Sequence, residues 1–231
     1  MRIVLLPGMD GTGKLLGPFA TELEKRGGTP QIVTYPHDLP QSYAELIDDL
    51  VVPALPRDEP FVLLGESFSG PIALAVAQRE PPGLRALVLA VTFAKPPREI
   101  LLSLTRALPV KWMLSMPIPC WVAHKVMLGR EACGDQATLC RLMEQIQPEV
   151  LTERLREVRE LRLARKTVQL PTLYLRATED LLLPADVVEG VREIVPAVEV
   201  AELPGPHLVL DTSPDRCAEL IATFLAALPE A

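Results

Sequence analysis

Apolar and polar positions along the chain alternate in a pattern typical of a parallel β-sheet covered by helices. Short apolar runs are separated by longer amphipathic stretches, as expected when strands are buried on both faces. The pattern predicts strands at residues 2–6, 31–35, 61–65, 86–91, 172–177 and 198–203. It predicts helices near residues 15–27, 41–55, 68–79, 185–195 and 214–227. The expected fold class is therefore α/β, with a mostly parallel six-stranded sheet.

Residues 95–170 break this alternation of strands and helices. The segment is too long to be a simple connection and too apolar to be a linker, and both tryptophans of the chain lie in it. Its end is strongly charged, and the pattern there predicts a helix over residues 149–168. The sequence therefore predicts one core domain, formed by residues 1–94 and 171–231, that is interrupted by an insertion at residues 95–170.

Composition narrows the class of protein. The chain has 231 residues, which is enough for one domain with a sizeable core. Its hydrophobic content of 48% argues against disorder, and its net charge of -7 argues against nucleic-acid binding and a basic membrane-surface patch. No apolar run approaches the roughly 18 residues of a membrane helix, and the first residues lack the features of a signal peptide. We expect a cytoplasmic monomer or homodimer.

The cysteines give no sign of a metal site. Cys120, Cys133, Cys140 and Cys217 have neither C-x-x-C spacing nor a neighbouring histidine pair. Cys133 and Cys140 would lie two turns apart on a helix, which is too far for a disulfide. We therefore expect reduced, mainly buried cysteines, no metal and no cofactor.

Residues 62–70 have the pattern of a nucleophile elbow, the sharp turn between a strand and a helix that exposes a reactive side chain. An apolar strand there runs into the sequence G-E-S-F-S-G. Such a turn needs small side chains, and its strained apex pushes the Oγ of Ser67 out of the sheet. The usual motif is G-x-S-x-G, and here Ser69 takes the last small position before Gly70. The motif predicts a nucleophilic Ser67, against the alternative of an ordinary loop with a chance serine.

Two later segments supply an acid and a base. Asp180 follows the predicted strand at residues 172–177, and acids at the ends of such strands point into the crevice above the sheet. His207, one of only three histidines, lies in the loop after the last predicted strand. The chain order serine, aspartate, histidine is that of α/β-hydrolases, and it differs from the chymotrypsin and subtilisin orders.

The chain is similar to serine hydrolases of the α/β-hydrolase fold, the superfamily of esterases, lipases and thioesterases. Its opening L-P-G-M-D-G-T-G, residues 6–13, resembles the oxyanion loop of the esterase/thioesterase and phytyl ester synthase-like branch. Pro7 stands where many relatives have histidine, and Pro206 stands where many have a second glycine. The resemblance implies helices on both faces of the sheet, a helical lid at residues 95–170, and a backbone N–H donor at Met9.

The residue types fit an ester-cleaving reaction. A serine attacks a carbonyl at neutral pH only when a base takes its proton, and the imidazole of His207 suits that role. Asp180 would orient the ring and stabilise the imidazolium. The backbone N–H groups of Met9 and Phe68 would hold the oxyanion. The sequence predicts a serine carboxylic-ester hydrolase that acts through an acyl-enzyme on small to medium apolar esters.

The predicted substrate pocket lies beneath the lid, whose apolar residues would form its ceiling. The expected substrate-binding side chains are Phe93, Trp112, Met116, Trp121, Leu181 and Leu208. Two alternative functions stay open. One is a thioesterase or acyltransferase that uses the same acyl-enzyme, and the other is a non-catalytic small-molecule binding protein on the same fold.

The opening loop also fits two nucleotide-binding motifs in part. The spacing from Gly8 to Gly13 and Lys14 is that of a P-loop, but Leu15 stands where Mg²⁺ binding requires serine or threonine. The dinucleotide fingerprint fails because Leu16 takes the place of its third glycine. Both motifs are therefore disfavoured.

Three further polar residues lie near the predicted site. Asp10 fits an Asx-type turn that braces the opening loop, and we favour bracing over catalysis. We expect Glu66 to support the elbow while pointing away from the site. His37 fits a polar surface loop better than a substrate contact.

Overall fold

The computed structural model describes residues 1–97, 127–128 and 145–228. Their centre is one sheet of six strands: β1 Arg2–Leu6, β2 Thr29–Ile32, β3 Phe61–Glu66, β4 Leu84–Ala90, β5 Thr172–Ala177 and β6 Glu199–Leu203. The strand order is β2-β1-β3-β4-β5-β6, and every neighbouring pair is parallel. The predicted fold class, a parallel six-stranded α/β sheet, is confirmed.

Helices cover both faces of this sheet. The α-helices are α1 Gly17–Lys25, α2 at residues 43–54, α3 Gly70–Gln78, α4 Pro148–Glu160, α5 Val187–Arg192, α6 Val209–Thr212 and α7 Pro214–Ala226. The middle of α2, Leu46–Val51, is π-helical, and short 3₁₀ turns at Lys14–Leu16 and Ser67–Ser69 precede α1 and α3. Buried residues of α2, α3, α4 and α5 share one core cluster, and those of α1, α6 and α7 share another. The sheet lies between the two clusters.

A strand's position in the sheet, central or at an edge, explains how clearly the sequence predicts it. All six residues of β3 are buried, and β1, β4 and β5 are buried along most of their length. Strands of this kind need apolar side chains on both faces, so they are read as continuous apolar runs. The edge strands β2 and β6 are largely half-buried or exposed.

The edge strand β2 begins two residues before the predicted start and ends at Ile32, so the predicted bounds of 31–35 were wrong. The strand contains Pro30, which pairs with Ile3 of β1. The amides of Thr29 and Val33 donate to the carbonyls of Met1 and Leu5, toward β1. Pro30, one residue after Thr29, therefore faces the open edge, where its missing N–H is not needed. An edge position therefore tolerates a proline that would interrupt a central strand.

The charged helix α4 ends at Glu160, whereas the charge pattern predicts a helix as far as residue 168. The chain beyond it is held by distant partners rather than by helical bonds. The side-chain amide of Gln78 donates to the carbonyls of Ala164, at 2.9 Å, and Lys166, at 2.6 Å. The amide of Val168 donates to the carbonyl of Ile194. These long-range bonds replace the helix and have no local signal in the sequence.

Most of the predicted insertion, residues 98–126 and 129–144, lies outside the described residues. The boundaries of core and lid therefore stay predictions. Within the part of the chain that the structure describes, no helix is long and apolar enough to cross a membrane. Cys217 is buried in the core, and burial raises the pKa of its thiol to about 12. Its thiol is therefore unreactive.

Candidate active site

The turn that follows β3 has the strained geometry of a nucleophile elbow. Ser67 has a φ of 47°, a left-handed conformation that residues other than glycine rarely adopt. A Cβ on Gly65 would lie 2.6 Å from the carbonyl oxygen of Ser69, and a Cβ on Gly70 would lie 1.9 Å from the Oγ1 of Thr92. Only glycine fits at these two positions, so the packing fixes the turn that presents Ser67.

Ser69 does more than fill the last small position of the motif. Its fully buried hydroxyl donates to the carbonyl of Pro7, in the loop after β1. The Oη of Tyr35 lies 2.8 Å from the same Oγ, and the Tyr35 hydroxyl donates there because Ser69 uses its own proton on Pro7. Burial raises the pKa of Tyr35, so its hydroxyl keeps that proton. A glycine at this position would leave the elbow without this link.

Thr92, just after β4, supports the elbow from the other side. Its hydroxyl donates to the carbonyl of Ser67. The Tyr174 hydroxyl in turn donates to the Thr92 carbonyl at 2.6 Å and lies 3.2 Å from the Thr92 amide nitrogen. Three neighbouring strands, β3, β4 and β5, are thus connected through buried hydrogen bonds at the point where Ser67 sits.

The side chains of Ser67, His207 and Asp180 form a connected chain of hydrogen bonds. The Oγ of Ser67 lies 2.8 Å from Nε2 of His207, and Nδ1 of His207 lies 2.7 Å from Oδ2 of Asp180. A carboxylate only accepts, so Nδ1 carries the imidazole proton and Nε2 is free to accept from the serine. The side chains of His207 and Asp180 are only 4% and 5% exposed. The structure therefore brings together the three residues that the sequence predicts.

Asp180 is held by the turn in which it lies. Its Oδ1 accepts from the amides of Leu182, at 2.8 Å, and Leu183, at 3.0 Å, which leaves Oδ2 for His207. The preceding residue, Glu179, donates its amide to the carbonyl of Gly205 at 3.0 Å. The loops after β5 and β6 are therefore joined beside the imidazole.

The loop after β1 is held by several hydrogen bonds to its backbone. The Gly8 amide lies 3.2 Å from Oε2 of Glu66, and the Gly8 carbonyl accepts from the Gly11 amide at 3.1 Å. Oδ2 of Asp10 accepts from the amide of Thr12 at 2.9 Å and from its hydroxyl at 2.5 Å. The interpretation of Asp10 as a bracing residue is confirmed, and the support expected of Glu66 is its contact with Gly8.

Glu66 is a buried acid directly before the nucleophile. Its side chain lies inside the protein and is 3% exposed. Burial raises its pKa to about 8, and the nearby charges of Asp10 and Asp211 act in the same direction. The hydrogen bond from Gly8 opposes this rise only in part. At neutral pH the carboxyl is therefore largely protonated.

Arg154 of α4 reaches the same loop from the opposite side. It is 2% exposed, and it donates from Nη1 to the carbonyl of Met9 at 2.6 Å and from Nη2 to the carbonyl of Pro36 at 2.7 Å. Its guanidinium carbon lies 6.0 Å from the ring centroid of Tyr35 and 5.9 Å from that of Phe68. Sequence reasoning missed this residue because it lies in a charged helix that resembles a solvated surface.

Comparison with known proteins decides the fold. No protein family and no curated protein matches the sequence, whereas solved structures match almost its whole length. An esterase from Exiguobacterium antarcticum has a TM-score of 0.80 at 15% identity, over 98% of this chain and 92% of its own. An extracellular α/β-hydrolase from a Paenibacillus species has a TM-score of 0.69 at 22% identity, over 96% and 98%. A bacterial membrane phospholipase A has a TM-score of 0.80 at 17% identity, over 100% and 80%.

The chain has the α/β-hydrolase fold. The predicted resemblance is thereby confirmed at the level of the fold, which these structures share with it. In this α/β-hydrolase fold the Ser67 elbow lies after the third strand in sequence and His207 lies after the last. Folds of this kind carry many reactions, so the function must be argued from the site.

The expected substrate-binding residues of this α/β-hydrolase fold have different environments. Phe93 is buried in the core cluster that includes Tyr174, and Leu208 is buried against Leu15 and Leu128. Leu181 is 66% exposed. Three others lie outside the described residues: Trp112, Met116 and Trp121. Their role in substrate binding stays a prediction. Among the described residues, no group of three histidine, cysteine or acidic side chains could hold a metal ion.

Proposed function

We propose that the protein is a serine hydrolase that cleaves carboxylic esters, with Ser67 as nucleophile, His207 as general base and Asp180 as the orienting acid. The observation that carries the proposal is the pair of hydrogen bonds from the serine through the imidazole to the buried carboxylate, at 2.8 and 2.7 Å. Several solved structures with this fold are described as esterases or hydrolases, which supports hydrolysis as the reaction class.

The first half of the reaction forms an acyl-enzyme. As the Oγ of Ser67 attacks the ester carbonyl carbon, its proton passes to Nε2 of His207 and the carbonyl electrons move to the oxygen. Asp180 stabilises the imidazolium that forms. When the tetrahedral intermediate collapses, the carbon–oxygen bond to the alcohol breaks, and His207 gives its proton to the departing alcohol.

Water completes the cycle. His207, neutral again, takes a proton from a water molecule that attacks the acyl carbon, and a second tetrahedral intermediate forms. Its collapse breaks the bond to Ser67, whose oxygen recovers the proton from the imidazolium. The products are the carboxylic acid and the free serine.

The negative charge of each intermediate is held by backbone amides in this proposal. The donors are the N–H groups of Met9 and Phe68. Among the residues that the structure describes, the Met9 amide has no protein acceptor within hydrogen-bond distance, as an amide that serves an oxyanion requires. Losing one donor of this kind costs about 3 to 4 kcal/mol of transition-state stabilisation.

The proposed substrates are small to medium esters with an apolar part. The proposed contacts are the side chains expected from the sequence. Three of them, Phe93, Leu181 and Leu208, follow strands β4, β5 and β6 respectively. Ser67 would form the same acyl-enzyme from a thioester, with a thiol as the leaving group, if the site admits such a substrate. The choice between ester and thioester is therefore a question of leaving group.

The test is a substrate panel with the purified protein. Hydrolysis rates are measured for p-nitrophenyl esters of graded acyl length and for acyl-coenzyme A thioesters of the same lengths. We expect turnover of the esters, with kcat/KM rising from acetate toward butyrate or hexanoate because each buried methylene gains up to about 0.8 kcal/mol. Faster turnover of the thioesters would assign a thioesterase instead. No turnover of either series, and no labelling by a fluorophosphonate, would reject the hydrolase.

A further inference from the structure

We propose that Arg154 is a positioning residue for the oxyanion hole: its guanidinium holds the Met9 carbonyl, packs against the ring of Phe68 and places a buried positive charge beside both residues. The inference rests on the proposed function, since it assigns a residue to the chemistry of the same site. It also gives α4, which lies near the end of the predicted insertion at residues 95–170, a direct part in the proposed active site.

A hydrogen bond of the guanidinium restricts the peptide directly after the one that carries the Met9 amide. Arg154 holds the Met9 carbonyl at 2.6 Å, and the Gly11 amide holds the Gly8 carbonyl at 3.1 Å. The carbonyls on both sides of the Met9 amide are therefore anchored, and its N–H direction is set by the two anchors together. The second guanidinium bond, to Pro36, fixes Arg154 itself to the loop after β2.

The guanidinium also contacts the other half of the proposed oxyanion hole. It lies 5.9 Å from the ring of Phe68 and 6.0 Å from the ring of Tyr35, within the range of cation–π attraction. A Cβ on Gly11 would lie 2.7 Å from Nη2, so the loop has a glycine where the guanidinium occupies the space. The arginine is thus packed against both residues whose amides would bind the oxyanion.

The charge of Arg154 is not neutralised by an ion pair among the described residues. Its two hydrogen bonds go to backbone carbonyls, and within the described ranges no carboxylate lies within 4.0 Å of its nitrogens. Burying a guanidinium without an ion pair is unfavourable, and the burial lowers its pKa, while the nearby charge of Asp10 acts in the opposite direction. Arginine nevertheless stays protonated in proteins. A buried cation next to a site of developing negative charge acts in a low-dielectric surrounding, where it is most effective.

The experiment compares two substitutions at Arg154 with two controls on the same helix. Arg154→Met removes the charge and both hydrogen bonds, whereas Arg154→Lys keeps the charge but loses the planar fork. Arg159→Met removes an arginine from the exposed face of α4, and Val158→Ala removes buried apolar volume from α4 without any charge. For each protein, kcat and KM on a p-nitrophenyl ester, the inhibition constant of a trifluoromethyl ketone and the Tm are measured.

We expect Arg154→Met to lower kcat by about 10²-fold, which is the effect of weakening one oxyanion donor, while KM changes less than about threefold. The trifluoromethyl ketone forms a tetrahedral oxyanion on the serine, so its inhibition constant should rise by the same factor as kcat/KM falls. Arg154→Lys should lie between Arg154→Met and wild type. Arg159→Met should match wild type, and Val158→Ala should lower Tm with kcat unchanged.

Two results would overturn the inference while leaving the proposed function intact. One is a wild-type rate in Arg154→Met, measured at least about 15 °C below its Tm. The other is a fall of kcat in Val158→Ala as large as that in Arg154→Met, which would show that any loosening of α4 has the same effect. Failure of the proposed function is recognised separately, because wild-type protein would then neither turn over esters nor bind the ketone.

Discussion

The nucleophile side and the acid side of the candidate active site are held by different interactions. Ser67 sits on a left-handed turn enclosed by the core, with Gly65 and Gly70 packed so closely that neither admits a Cβ. Asp180 sits in a turn whose own amides bind its carboxylate, next to Leu181, which is 66% exposed. The nucleophile is positioned by tertiary packing, and the acid by hydrogen bonds within its own turn.

Because of this difference, substitutions on the two sides should differ in how they affect stability and the reaction rate. Changes around the elbow should disturb the core together with the reaction, because the same glycines and buried hydroxyls serve both. A change that keeps an oxygen at Asp180 should affect the reaction alone, since the amides of Leu182 and Leu183 can still bind that oxygen. Four substitutions test this contrast, and they follow in order of expected effect.

Removing the nucleophile hydroxyl should have the largest effect. Ser67→Ala deletes one atom at the apex of a turn that packing maintains, so the fold should persist while turnover falls by on the order of 10⁶-fold. The rate on p-nitrophenyl esters and labelling by a fluorophosphonate are the measurements. Labelling of the variant at another residue would contradict the assignment of Ser67.

Replacing the acid should have the second largest effect on turnover. Asp180→Asn keeps an oxygen for the amides of the turn but presents an amide N–H to Nδ1 of His207, which favours the wrong imidazole tautomer. We expect kcat to fall by about 10⁴-fold, with Tm close to that of wild type. Asp186→Asn, at the start of α5, is the matched control and should stay active. If Asp211→Asn were the crippling change instead, the position of the acid would be wrong.

A single methyl group at the elbow tests the packing side of the contrast. Gly70 has an ordinary helical φ of -60°, so Gly70→Ala brings no backbone strain, and its only cost is the clash with Thr92. We expect the free energy of unfolding to fall by about 3 kcal/mol, measured by denaturant titration. Gly17→Ala, where no atom lies within 4 Å of the added Cβ, should raise stability by about 0.4 to 1 kcal/mol. Equal effects of the two changes would contradict the packing argument.

Glu66 makes the stability of the nucleophile side depend on pH. Its pKa is about 8 in the folded protein against the usual 4.5, so its contribution to stability is complete below about pH 4.5 and is lost as the pH rises to 8. Glu66→Gln stays neutral and keeps an oxygen for the Gly8 amide. Between pH 5 and pH 8, wild type should lose about 3 kcal/mol relative to the variant, since each pKa unit corresponds to about 1.4 kcal/mol, measured by urea unfolding. Parallel pH profiles would show that Glu66 is ionised throughout.

The sequence predicts the elements whose signals are local. The central strands β1, β3 and β5 are buried on both faces and appear as continuous apolar runs, so their bounds agree within one residue. The edge strand β2 and the end of α4 were misplaced because an open edge and the distant Gln78 determine them. Edge exposure and long-range hydrogen bonds are properties of the folded chain, and a single sequence does not display them.

The same distinction applies to the site. Ser67, Asp180 and His207 each follow a strand, and the small residues of the elbow give a local signal. Thr92 and Arg154 give none, because Thr92 acts on a carbonyl 25 residues away and Arg154 on one 145 residues away. The sequence identified Ser69 only as the last small residue of the motif, and its buried hydrogen bonds to Pro7 and Tyr35 were not predicted.

The proline in the edge strand β2 bears on how copies of the protein associate. Pro30 directs its ring, rather than an amide hydrogen, toward the open side of the sheet. A strand from a second molecule would find no donor at that point of the edge, and at the other edge it would meet Glu199 and Glu202 of β6. Sheet-to-sheet addition, the usual start of β-aggregation, is therefore disfavoured at both ends.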